Sequence, residues 1–197
     1  MPKTNNMPTK RALNDSIKLK QDIANDSKLL SKADLLAHQM TESLKKGGKI
    51  YFCGNGGSAA DAQHLAAELS GRYYYDRPPL ASEALHVNSS YITAVANDYG
   101  YDMVFARLIE AFGRTHDMLI GLSTSGNSQN VIKAFEAAKK QNIFTVAFTG
   151  ETGGKMADLV DLIIKIPSTD TPRIQEAHML IGHSVCEIVE RQMFPRD

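Results

Sequence analysis

The chain has 197 residues, 43% of them hydrophobic, which is enough for one well-buried core. Basic and acidic residues balance at 22 each, so bulk charge directs the protein to neither nucleic acid nor an anionic membrane. No apolar run approaches the roughly 20 residues that span a bilayer, and residues 1–11 lack the apolar stretch of a secretory signal.

Residues 1–10 are expected to form a flexible tail and residues 11–197 a single domain, since no linker-like stretch divides them. From Ala12 to about Lys46 apolar residues recur at helical spacing: Leu13, Ile17 and Ile23, then Leu29, Leu30, Ala33, Leu36, Met40 and Leu44. Asn25-Asp26-Ser27 predicts a break between two helices, and Gly47-Gly48 closes the second. Beyond this point strands and helices alternate. Strand-like runs fall at 49–53, 84–87, 118–122, 144–148 and 162–166. Helical patterns fall at 58–69, 91–96, 103–112, 128–140 and 154–159, and one long helix covers about 171–193. This alternation predicts an α/β three-layer sandwich around a parallel sheet, with ligands bound outside the carboxyl ends of the strands. Cys53 and Cys186 belong to no CxxC pair and read as reduced, buried thiols. The chain reads as cytoplasmic.

Two loops carry the functional signal. Gly54-Asn55-Gly56-Gly57-Ser58 follows the first strand-like run, and Ser123-Thr124-Ser125-Gly126-Asn127-Ser128 follows the third; each opens a helical pattern. Helix N-termini leave N–H groups unpaired and carry partial positive charge. Glycines admit a ligand close to the backbone, and hydroxyls bond phosphate oxygens. Two such loops predict a phosphorylated small molecule held from two sides. The first also reads as G-x-G-x-x-A, close to a dinucleotide fingerprint, but the stretch 71–79 offers no strand that ends in the required acidic residue. A P-loop is excluded because its Gly-Lys-Ser/Thr ending is missing. The purely structural alternative for the first loop is a tight turn, with Ser58 as N-cap and Asp61 completing a capping-box-like pattern.

His64 and Glu68 are four residues apart on the helix after the first loop, so they share a face. Such a pair can hold a divalent metal, commonly zinc, or supply a general base. Gln175 and His183 lie on the final helix, about 12 Å apart in rise and about 80° apart in direction. They meet at one site only by reaching toward each other or by coming from different subunits. His178, between them, reads as a structural histidine. Asn97-Asp98-Tyr99-Gly100 reads as a loop able to bond sugar hydroxyls or simply to make a turn.

These residues resemble the sugar-isomerase (SIS) domain family, and within it the bacterial phosphoheptose isomerases. The resemblance rests on 53–64, Ala67-Glu68-Leu69, Gly71-Arg72, 97–101, 123–128 and Arg173-Ile174-Gln175-Glu176, in order along about residues 35–193. It implies a five-stranded parallel sheet of flavodoxin-like type, with N-terminal helices packing in a homotetramer. It implies Zn2+ held by His64, Glu68, Gln175 and His183, with Glu68 and His183 as the acid-base pair. Substrate contacts implied are Asn55, Gly56, Gly57 and Ser58, then Asn97 and Asp98, then Ser123, Thr124, Ser125, Ser128 and Gln175. The implied reaction converts sedoheptulose 7-phosphate to D-glycero-D-manno-heptose 7-phosphate for lipopolysaccharide or other surface heptose. The alternative is a non-enzymatic relative that binds the replication initiator DnaA. Such relatives typically lack the equivalents of Glu68 and His183, both present here.

Overall fold

The computed structural model describes residues 7–196. Its elements are α1 (Pro8–Asn25), α2 (Ser27–Lys45), β1 (Ile50–Gly54), α3 (Gly57–Ser70), β2 (Ser82–Ala84), α4 (Ser89–Tyr99), α5 (Ala106–Phe112), β3 (Met118–Ser123), α6 (Gln129–Lys140), β4 (Phe144–Thr149), β5 (Leu162–Lys165) and α7 (Thr171–Met193). The expected break between the first two helices is present, and the Asp26 carboxylate caps α2 by accepting the N–H groups of Lys28 and Leu29.

The five strands are all parallel, in the order β2-β1-β3-β4-β5. Strand residues point alternately to opposite faces, which explains why the strands read as unbroken apolar runs. Ile50, Phe52, Met118, Ile120, Leu122, Val146 and Phe148 face a core shared with α1, α2, α3 and α7. Tyr51, Cys53, Leu119 and Ala147 face a second core shared with α4, α5 and α6. Three layers result, as expected. The strand order reverses direction between β1 and β3, where the outward-running connections part and leave a crevice at the carboxyl ends. Both glycine- and serine-rich loops leave the sheet there.

Several boundaries differ from the sequence reading. Helix α1 starts at Pro8, so residues 8–10 of the expected tail are helical; proline suits the first turn, where its missing N–H costs nothing. Residues 1–6 of that tail lie outside the described residues. Strand β2 lies at Ser82–Ala84 rather than 84–87: the Leu85 N–H still donates to Phe52, but Leu85 and His86 then turn the chain toward α4. The expected 103–112 helix is shorter, α5 being preceded by a 3-10 turn at Tyr101–Met103. The 154–159 pattern forms only a 3-10 turn, Gly154–Met156, after the left-handed Gly153. Asn97, Asp98 and Tyr99 are the last turn of α4 and not a loop. The Asn88 side chain starts that helix by accepting the Tyr91 N–H, and Gly100 ends it.

Candidate active site

The first loop enters α3 without a side-chain cap. Ser58 is buried inside the first turn rather than at the N-cap position, so the capping-box alternative does not describe this loop. The second loop likewise enters α6 uncapped, with Ser128 at the N-cap position. Its hydroxyls face one another, Ser123 Oγ lying 2.9 Å from Ser128 Oγ and 3.5 Å from Ser125 Oγ. Gly126 has φ +66°, and a Cβ there would sit 2.1 Å from the Gly153 carbonyl oxygen. The 3-10 turn braces the loop from behind, as the Lys155 N–H donates to Asn127 Oδ1 and the Met156 N–H to the Gly126 carbonyl.

The two loops are tied across the crevice by a reciprocal amide pair. Asn55 Nδ2 donates to Asn130 Oδ1 at 2.9 Å, and Asn130 Nδ2 donates to Asn55 Oδ1 at 2.8 Å. The Tyr101 hydroxyl also donates to Asn55 Oδ1 at 3.2 Å. Neither Asn130 nor Tyr101 stands out as a site residue in the sequence. The available signal for Asn130 is its position beside Val131 and Ile132 at the start of an apolar helix face, where it is buried. A buried amide there needs partners, and the first loop supplies them.

Helices α3 and α7 form the other wall. His64, Glu68 and His183 present ligand atoms that all lie within 4.8 Å of one another. His64 Nε2 is 2.9 Å from Glu68 Oε1 and 3.2 Å from His183 Nε2. Two imidazoles and a carboxylate aimed at one point suit a transition metal, and two donors on a tetrahedral zinc ion lie about 3.3 Å apart. The donor set therefore fits the expected ion. All three side chains come from one chain. Burial and the facing imidazole of His64 hold His183 below its ordinary pKa, against the opposing pull of Glu68. One turn before His64, burial pushes the Asp61 carboxyl up to about 6, with His64 opposing, and its Oδ2 has no bonding partner among the described residues.

Gln175 links the two walls. A Cβ on Gly57 would lie 2.4 Å from Gln175 Nε2, so the amide rests directly on the first loop. Gln175 thus reaches the glycine loop at the start of α3, the helix that also carries His64 and Glu68. Asn97 and Asp98 bond each other at the exposed end of α4, and among the described residues neither bonds to the loops. The tie from that segment is made by Tyr101.

An SIS domain model matches residues 15–150. The chain is 50% identical over 185 residues to a phosphoheptose isomerase of Aneurinibacillus thermoaerophilus, covering 94% of this chain and 93% of that one. The chain belongs to the SIS-domain phosphoheptose isomerase family. Among solved members of that family, phosphoheptose isomerase GmhA from Neisseria gonorrhoeae superposes with a TM-score of 0.87 at 42% identity, over 92% of this chain and 96% of that one. The enzyme from Francisella tularensis gives the same TM-score at 35% identity, over 93% and 96%. The expected SIS fold, with its five parallel strands, is therefore the observed one.

Proposed function

We propose that this protein is an aldose-ketose isomerase that converts sedoheptulose 7-phosphate to D-glycero-D-manno-heptose 7-phosphate for bacterial surface heptose, including lipopolysaccharide. The observation that carries this reading is the convergence of Glu68 and His183, with His64, beside two anion-binding loops. It is supported by the 50% identity to a protein named phosphoheptose isomerase.

The reaction moves a proton from C1 to C2 while the oxygens exchange theirs. Glu68 takes the C1 proton, giving an enediol, and returns it to C2. His183 carries the proton from O1 to O2. Each such acid-base step contributes about 10²–10⁴-fold, so positioning supplies much of the rest. Ser123, Thr124, Ser125 and Ser128 bind the phosphate, and binding energy spent there orients the distant reacting carbons. Asn55, Gly56, Gly57, Ser58, Asn97, Asp98 and Gln175 take the sugar. His64, Glu68, Gln175 and His183 would hold one Zn2+, which when bound polarises the substrate carbonyl.

The DnaA-binding alternative gains nothing from this geometry, since the carboxylate and imidazole that such relatives typically lack are both present and converge. A homotetramer belongs to the same reading, and exposed Leu13 and Ile17 on α1 and Leu30 and Leu35 on α2 support it. So does a cytoplasmic location, supported by two free, buried cysteines. Among the described residues no helix is long and apolar enough to cross a membrane.

The test is to incubate purified protein with sedoheptulose 7-phosphate and follow the aldose, with and without a chelator. Conversion that the chelator stops and added Zn2+ restores is expected. No conversion refutes the isomerase, and conversion that persists in chelator refutes the metal. Capture of DnaA by the purified protein would favour the alternative.

A further inference from the structure

Behind the α3–α7 wall lies a buried ion pair that the reaction does not use. The side chains of Arg77 and Glu190 are 2% and 1% exposed, and Arg77 Nε donates to Glu190 Oε1 at 3.0 Å. The rest of the guanidinium fork goes to backbone. It donates to the carbonyl of Glu68 at 2.8 Å, and to those of Leu69 at 2.6 Å and Gly71 at 2.8 Å. These lie where α3 runs out of its own donors, and a cation is favoured at a helix C-terminus. A weaker bond at 3.2 Å reaches Pro78.

Glu190 grips the opposite side. It follows His183 by two turns on nearly the same stripe of α7. Its carboxylate accepts the N–H of Tyr73 at 2.9 Å and of Tyr74 at 2.8 Å, and the Tyr73 ring packs against the His183 imidazole at 5.8 Å between centroids. Burial favours the protonated carboxyl, but the two N–H groups and Arg77 outweigh it and hold Glu190 below its ordinary pKa. One ion pair therefore holds the backbone of Glu68, the helix that carries His183, and the ring beside His183.

We propose that the Arg77–Glu190 pair is a positioning device that sets Glu68 and the Tyr73 ring relative to His183. The proposal deepens the isomerase reading and rests on it for its kinetic consequence. A pair that served stability alone could be exchanged for apolar side chains of similar volume without harm. Here the bonds end on the Glu68 carbonyl and the Tyr73 N–H, so the exchange leaves those backbone groups without partners and disturbs the site.

The test uses the double variant Arg77→Met/Glu190→Leu, which removes both charges together and strands neither. Its thermal midpoint is expected to fall, because the Glu68 carbonyl and the Tyr73 and Tyr74 N–H groups lose their partners, so activity and Co2+ binding are read at a temperature where a melting curve shows the variant folded. Removing partners that orient ligands typically costs about 10–100-fold, so kcat and Co2+ affinity should each fall at least tenfold while KM stays within about threefold. A crystal structure should show the Tyr73–His183 contact displaced. A folded double variant with wild-type kcat, Co2+ affinity and Tyr73–His183 contact overturns the proposal. Should that variant not fold, Arg77→Lys keeps the charge and loses the fork. A tenfold loss of kcat and Co2+ affinity in folded Arg77→Lys supports the proposal, and wild-type values overturn it. If the wild-type protein fails to isomerise the sugar, the functional reading falls. The variant crystal structure then still decides positioning, a displaced contact supporting it and an unchanged one overturning it.

Discussion

Adding one methyl group at Gly57 tests whether the place of Gln175 matters to the reaction. An alanine Cβ there would lie 2.4 Å from Gln175 Nε2 and 2.9 Å from both Cδ and Oε1. Ordinary van der Waals contact begins near 3.4 Å, so the amide must retreat by about 1 Å. The obstructing atoms are the far end of a flexible side chain, so the shift is absorbed without moving the backbone. Position 57 opens α3 and is not among the positive-φ glycines, so alanine adds no backbone strain there. Gly57→Ala should therefore fold with a thermal midpoint within a few degrees of wild type. A misplacement of about 1 Å near the chemistry costs on the order of 10²-fold, or about 2.7 kcal/mol in kcat/KM. The assay is conversion of sedoheptulose 7-phosphate to the aldose, beside a melting curve on the same sample. A variant that folds and turns over at the wild-type rate would refute the place given to Gln175, and one that melts far below wild type would refute the claim that a side chain absorbs the contact.

Glu68→Gln should abolish turnover and leave sugar-phosphate affinity within about tenfold, measured by titration calorimetry; undiminished turnover removes Glu68 from the mechanism. Ser125→Ala should chiefly raise KM, and an unaltered KM places the phosphate elsewhere. His178 of α7 is buried against the end of β4, where burial lowers its pKa to about 4 although the Thr149 carbonyl accepts its ring N–H. The unfolded chain takes up this proton near pH 6.5 and the folded chain only near 4. Stability is thus whole above pH 6.5 and declines as pH falls toward 4, by about 3 kcal/mol from this group. Urea midpoints across that range should fall less steeply for His178→Met, and parallel slopes for the two proteins would contradict the assignment.

The sheet was legible because its strands are apolar on both faces, as 118–122 and 144–148 show, and because glycine or serine punctuates the carboxyl ends of β1, β3 and β4. Strand β2 was displaced in the reading because it pairs on one side only and over three residues, too few to leave a pattern. The 154–159 stretch has helical spacing yet makes a single turn. Gly153 and Gly154 both adopt positive φ there and tie the segment to the serine loop. His64 and Glu68 were readable from their four-residue spacing, and His183 from its place on a long amphipathic helix. Asn130, Tyr73, Arg77 and Glu190 were not, because each is defined by a partner far away in sequence. A charged residue such as Glu190 inside a helix reads as solvated until the fold sets Arg77 against it.

Asn55 precedes Gly56 in the one Asn-Gly step of the chain. At such steps the following backbone nitrogen attacks the side-chain carbonyl carbon and ammonia leaves, and water then opens the resulting succinimide to aspartate or isoaspartate. The bonds that clasp Asn55 to Asn130 from both ends of its amide restrict the rotation this attack needs. An aspartate formed there would also turn an oxygen toward Asn130 Oδ1 where a donor stood. The clasp that squares the crevice thereby protects the protein against slow chemical ageing at the spot where its loop is most exposed to it.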